Sequence, residues 1–78
     1  MTTYSTTDLY TTAVLLFSDF HIVKVTSHGD SGRVKRFHFE DSEELQNTIL
    51  QYMNGTLHGD IRKFRNSIEV TKDLVHSS

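Results

Sequence analysis

Apolar side chains recur at Leu9, Tyr10, Ala13, Val14, Leu16, Phe17 and Phe20, a helical spacing whose apolar surface is broad rather than a narrow stripe. A helix of that kind needs cover on more than one side and is expected at the centre of the core. Its start is read at Ser5 to Thr7, where a hydroxyl accepts an orphan backbone N–H. Asp8 then sits in the first turn, so that Ser5 and Asp8 resemble a capping box. On this reading the helix spans roughly residues 6–19.

From His21 the period changes. His21-Ile22-Val23-Lys24-Val25-Thr26-Ser27 and Arg33-Val34-Lys35-Arg36-Phe37-His38-Phe39 alternate and are rich in β-branched and aromatic residues, which predicts two antiparallel strands at roughly 21–28 and 33–40. A three-residue connection, Asp30-Ser31-Gly32, with Gly32 in the left-handed position, pairs Val25 with Phe37 and Val23 with Phe39. Those four side chains then share one face, whereas a slip of one residue would set Lys24 against Phe37. The other face carries Ile22, Lys24, Thr26 and His28 opposite Val34, Arg36, His38 and Glu40. It is polar and locally basic.

Asp41-Ser42-Glu43-Glu44 has the form of a capping box, with Asp41 as cap and Glu44 reaching back. The second helix, roughly 42–54, carries Leu45, Ile49, Tyr52 and Met53 on one face with Leu50 beside it, and ends at Asn54-Gly55. Asp60 caps a third helix, roughly 60–75, whose stripe is Ile61, Phe64, Ile68 and Val75, with Val70 and Leu74 at its margin. The expected fold is α+β: a helix, an antiparallel β-hairpin, then two helices packed on one face of the hairpin, with Val23, Val25, Phe37 and Phe39 beneath all three.

Length and charge narrow what such a fold can do. The chain has 78 residues, which suits one domain over 1–78 that buries only about 60–65% of its unfolded surface and is therefore marginally stable. A two-stranded hairpin has open edges, and pairing with a second copy through the hairpin would complete the sheet, so a homodimer is expected. The apolar run Ala13 to Phe17 is too short to span a bilayer. Met1 through Thr7 is polar and uncharged, unlike a secretory leader, so a cytoplasmic location with no membrane partner is expected. Zero cysteines exclude disulfides and thiolate metal sites.

Candidate chemistry is sparse. No two of His21, His28, His38, His58 and His76 stand at the i, i+4 spacing of helical metal ligands, so no metal or other cofactor is expected. Asp41, Glu43 and Glu44 read as capping charges, Ser31 and Ser42 as turn and cap residues, and no glycine-rich loop opens a helix to hold phosphate. No catalytic residue emerges, and the protein is expected not to be an enzyme.

Binding is the remaining class. Eight basic residues against ten acidic ones give a net charge of −2, so attraction to DNA or RNA must come from a local patch. Two clusters qualify: Lys24, Arg33, Lys35 and Arg36 on the hairpin, and Arg62, Lys63, Arg65 and Asn66 near the start of the third helix. The latter group loosely resembles a recognition helix following another helix, although the break from Asn54 to Gly59 is longer than the usual turn. A solvated face opposite the Ile61-Phe64-Ile68 stripe explains the same residues. The expected function is non-enzymatic nucleic-acid association through these patches. The alternative is a module that docks another polypeptide or a second copy on its sheet edge.

Several stretches resemble a family of short uncharacterised proteins of bacteria and their phages. They are Thr7-Asp8-Leu9-Tyr10, Arg33-Val34, Phe37-His38-Phe39-Glu40-Asp41-Ser42-Glu43-Glu44-Leu45-Gln46, Tyr52-Met53-Asn54-Gly55, and Phe64 with Lys72. The resemblance runs along nearly the whole chain. It implies the same small α+β architecture and an origin in a phage or mobile element, and brings no activity, cofactor or catalytic residue.

Overall fold

The structure, a computed structural model, describes residues 2–28 and 34–76. Its elements are β1 (Thr3–Thr6), α1 (Leu9–Phe17), β2 (Ile22–His28), β3 (Val34–Glu40), α2 (Glu43–Met53) and α3 (Ile61–His76). The fold is α+β, with the expected hairpin and two following helices. The expected loop Asp30-Ser31-Gly32 and Arg33 lie outside the described residues.

The first correction is at the start of the chain. Thr3–Thr6 is not the beginning of a helix but a third strand, antiparallel to β3 in the register Thr3–Glu40, Tyr4–Phe39, Ser5–His38 and Thr6–Phe37. Threonine and tyrosine favour the pleated, half-buried surface that strand pairing supplies. The helix consequently starts later. Its N-cap is Asp8, whose carboxylate accepts from the Thr11 N–H at 3.1 Å, so the Ser5–Asp8 capping box does not form.

The second correction follows from the first. The sheet order is β1-β3-β2, which makes β3 the central strand and β2 an edge. Both neighbours are antiparallel to β3, so β1 and β2 run parallel and β1-α1-β2 is a β-α-β unit with β3 inserted between its strands. The core moves toward the centre of this wider sheet. Phe37, Phe39, Leu15 and Leu45 are buried together, with Tyr4, Leu16, Phe20, Ile22, Ile49, Leu74 and Val75 packed around them.

Val25 pairs with Phe37 as expected, but Val23 does not pair with Phe39. A bulge between Ile22 and Lys24 puts Ile22 opposite Phe39 instead, so Ile22 joins the core side and leaves the polar face. Val23 and Val25 are 60% and 43% exposed, because an edge strand overhangs a helical layer centred on β3. The bulge also bends the edge, as bulges do in edge strands.

As expected of a helix with a broad apolar surface, α1 is the central one: Thr12, Ala13, Val14 and Leu15 are all buried. It ends without glycine. Asp19 adopts φ +69 while its N–H bonds to the Leu16 carbonyl and that of Phe20 to the Leu15 carbonyl, the paired bonds of a Schellman ending, with Phe20 and Leu15 in apolar contact. The end of α2 is the same motif with Gly55 at φ +72 and the Thr56 N–H bonded to the Gln51 carbonyl.

Three smaller expectations change. Ser42, not Asp41, caps α2 by accepting from the Leu45 N–H at 3.1 Å, and Asp41 accepts from the Gln46 side chain. Met53 and Ile61 are 73% and 85% exposed and lie outside the core, since each stands at a helix end beyond the reach of its neighbours. Thr71 is the buried residue of α3. It and Thr12 are satisfied inside their own helices, donating to the Ser67 and Asp8 carbonyls. Asp60 does cap α3, its carboxylate accepting from the Arg62 N–H at 2.8 Å. Among the described residues no helix is long and apolar enough to cross a membrane.

Candidate functional site

All three helices contribute to the cluster around Phe37 and Phe39, so they lie on one side of the sheet, and among the described residues no helix covers the other. Side chains alternate along a strand. Because Phe37 and Phe39 point inward, Arg36, His38, Val34 and Glu40 occupy the uncovered face. The register adds Lys24 and Thr26 from β2 and Thr3 and Ser5 from β1.

Two side chains of the central strand are tethered across this face. The Arg36 guanidinium donates from Nη1 to Ser5 Oγ at 3.3 Å, reaching toward β1. His38 Nε2 is 2.9 Å from Thr26 Oγ1, reaching toward β2. Lys24 lies directly across from His38 and is exposed. The result is a patch with two permanent cations and an imidazole, bounded on β3 by the exposed Glu40.

The hairpin cluster is therefore divided. Lys24 and Arg36 share the uncovered face, whereas Lys35 points to the helical side and its amine donates to Ser27 Oγ at 3.3 Å. Arg33 lies outside the described residues. The helical cluster is elsewhere: α3 belongs to the layer behind the sheet, through Leu74 and Val75. Arg62, Arg65 and Asn66 are exposed there. Lys63 is engaged within the molecule, 3.3 Å from the Asp19 carboxylate and 5.4 Å above the Phe17 ring, a cation–π arrangement. The fold does not join the two clusters into one surface.

Ser5 is not visible in the sequence as a site residue, while Thr26 is placed on this face by alternation but without a role. Ser5 read as a helix start, and only the pairing of β1 with β3 carries it beside Arg36. Alternation does place His38 and Lys24 together in the sequence, but nothing local distinguishes them from ordinary surface residues.

A concavity separate from the sheet face lies at the ends of the helices. A groove of about 340 Å³ is lined by Val14, Phe17, Tyr52, Leu57, Ile61 and Phe64, with His58 and Asp60 at its rim. Its carboxylate is already committed as the α3 cap. Among the described residues no three His, Cys, Asp or Glu side chains are grouped to hold a metal ion.

The family model described as "Domain of unknown function (DUF5659)" matches residues 1–77. The chain belongs to the DUF5659 family. Neither a curated protein nor a solved structure matches it. The resemblance to short uncharacterised proteins thus holds along the chain. DUF5659 membership assigns no activity, so what this domain does has to be argued from its surfaces.

Proposed function

We propose that this DUF5659 chain works by binding rather than by catalysis, and that the uncovered sheet face binds nucleic acid. The carrying observation is the meeting of Lys24, Arg36 and His38, drawn from two strands onto a face that no described helix covers. Phosphate contact there releases counterions from the polymer, a gain that the net charge of −2 does not supply elsewhere. A non-enzymatic role inside the cell belongs to the same reading.

The test is fluorescence anisotropy with labelled DNA and RNA, at low and at near-physiological salt. Lys24→Ala combined with Arg36→Ala should weaken binding and reduce the slope of log K against log salt by roughly 1.4–1.8, two phosphate contacts at about 0.7–0.9 each. Arg62→Ala combined with Lys63→Ala should leave that slope unchanged, because α3 lies in the layer behind the sheet, away from the face proposed to bind. Absence of binding even at low salt would refute the proposal.

A second reading is favoured by the β2 edge, where Val23 and Val25 are exposed beside backbone groups that no described strand pairs. Edge-to-edge addition of another chain would cover both, and a second copy is the simplest occupant. Light scattering across micromolar concentrations should then give twice the chain mass, and Val25→Lys should return it to one. A single-chain mass throughout would remove this reading.

A further inference from the structure

We infer that the ligand of the sheet face is single-stranded nucleic acid, held by stacking of two bases on the planes of Arg36 and His38. This rests on the reading of that face as a nucleic-acid interface, and it adds which form of the polymer is bound and by which contact.

The geometry of the two side chains carries it. They are neighbours on one face of the central strand, two residues apart and so about 6.8 Å along it. A side chain bonded to the next strand leans over the sheet instead of standing away from it. Arg36 leans over the β1–β3 seam through Ser5 at 3.3 Å, and His38 over the β2–β3 seam through Thr26 at 2.9 Å. Both are only partly buried, so part of each side chain is open to a ligand.

Two flat π-systems, one over each seam of the same uncovered sheet face, suit a ligand that is itself flat and repeated. Bases of a single strand can be splayed apart and laid on imidazole or guanidinium planes, whereas those of a duplex are stacked on each other and hidden. Lys24, across from His38, and the charged edge of the Arg36 guanidinium supply the adjoining phosphate contacts. Glu40, next on the same face and exposed, repels phosphate and sets the end of the track. The strand is thereby directed away from Glu40, over His38 and Arg36 and toward Val34, which is 46% exposed and offers apolar cover to a further base.

The experiment compares labelled single-stranded and duplex oligonucleotides of DNA and RNA on the full chain, with circular dichroism showing that each variant is folded. Single strands of at least one polymer should bind roughly tenfold or more tightly than the duplex, and His38→Ala should lose roughly tenfold, the scale of one stacked base. His38→Phe should recover part of that affinity, since it keeps a ring to stack on while giving up the nitrogen that ties the ring to Thr26. Arg36→Lys should keep the salt slope and still weaken binding, because it keeps charge and loses the plane. Equal binding of duplex and single strand, with His38→Phe as weak as His38→Ala, would overturn the stacking inference while leaving an electrostatic interface in place. Failure of every oligonucleotide to bind would overturn both.

Discussion

Phe39→Ala should destabilise the chain by about 3–5 kcal/mol, the cost of removing a large buried ring and leaving its cavity behind. Phe39 is fully buried on the central strand, paired with Tyr4 on one side and Ile22 on the other, and the helices close over it through Leu15 and Leu45. Neighbours fixed from two strands and a helical layer have little freedom to collapse into the space. A chain of 78 residues has a total stability of only about 4–12 kcal/mol at 0.05–0.15 kcal/mol per residue. The variant should therefore lose at least about a quarter of its margin, with a clearly lower urea midpoint. Val23→Ala, on the exposed bulge, is the contrast and should shift the midpoint little. Equal losses for the two would mean that the core is centred on the hairpin and not on β3.

Gly59→Ala should cost about 1–3 kcal/mol through overpacking, although a methyl group at an exposed connector position is ordinarily harmless. A Cβ at Gly59 would run into Cζ of the Phe17 ring, far inside contact distance. The ring has poor means of retreat. It meets Phe64 edge to face at 5.6 Å and 88° and lies under the Lys63 ammonium at 5.4 Å. Glycine is required here for close approach, not for an unusual backbone angle. The check is a double-mutant cycle in urea: once Phe17→Ala has removed the ring, Gly59→Ala should cost only a few tenths of a kcal/mol. An undiminished cost in the Phe17→Ala background would show that the ring is not the obstacle. Gly55→Ala should be destabilising for the other reason, since no atom lies within 4 Å of its added Cβ but its φ is +72.

The elements with strong short-range signals were legible in the sequence. The apolar period of the helices, the alternation of β2 and β3, the glycine ending of α2 and the aspartate opening of α3 all involve residues within a turn or two of each other. The pairing of Val25 with Phe37 was legible too, because alternation makes any odd slip bury a lysine. So was the sharing of one face by Lys24, Arg36 and His38. Strand β1 was not: Tyr4 is its only large apolar side chain, and its hydroxyl residues serve equally well as helix caps. The choice between cap and strand is made by β3, which pairs Thr3 with Glu40 from the far side of two intervening elements.

That one pairing accounts for most of what changed. By itself the sequence determined where helices and strands are favoured, which side chains share a strand face, and that any pull on nucleic acid must be local. Only the tertiary structure decided that β3 is central and β2 an edge, that Val23 bulges outward while Ile22 turns in, that Ser5 meets Arg36, and that the basic residues of α3 stand apart from those of the sheet. The physical reason is range: caps and periodicities are satisfied by neighbours in the chain, whereas strand order and burial depend on which distant segment supplies the missing hydrogen bonds and apolar cover.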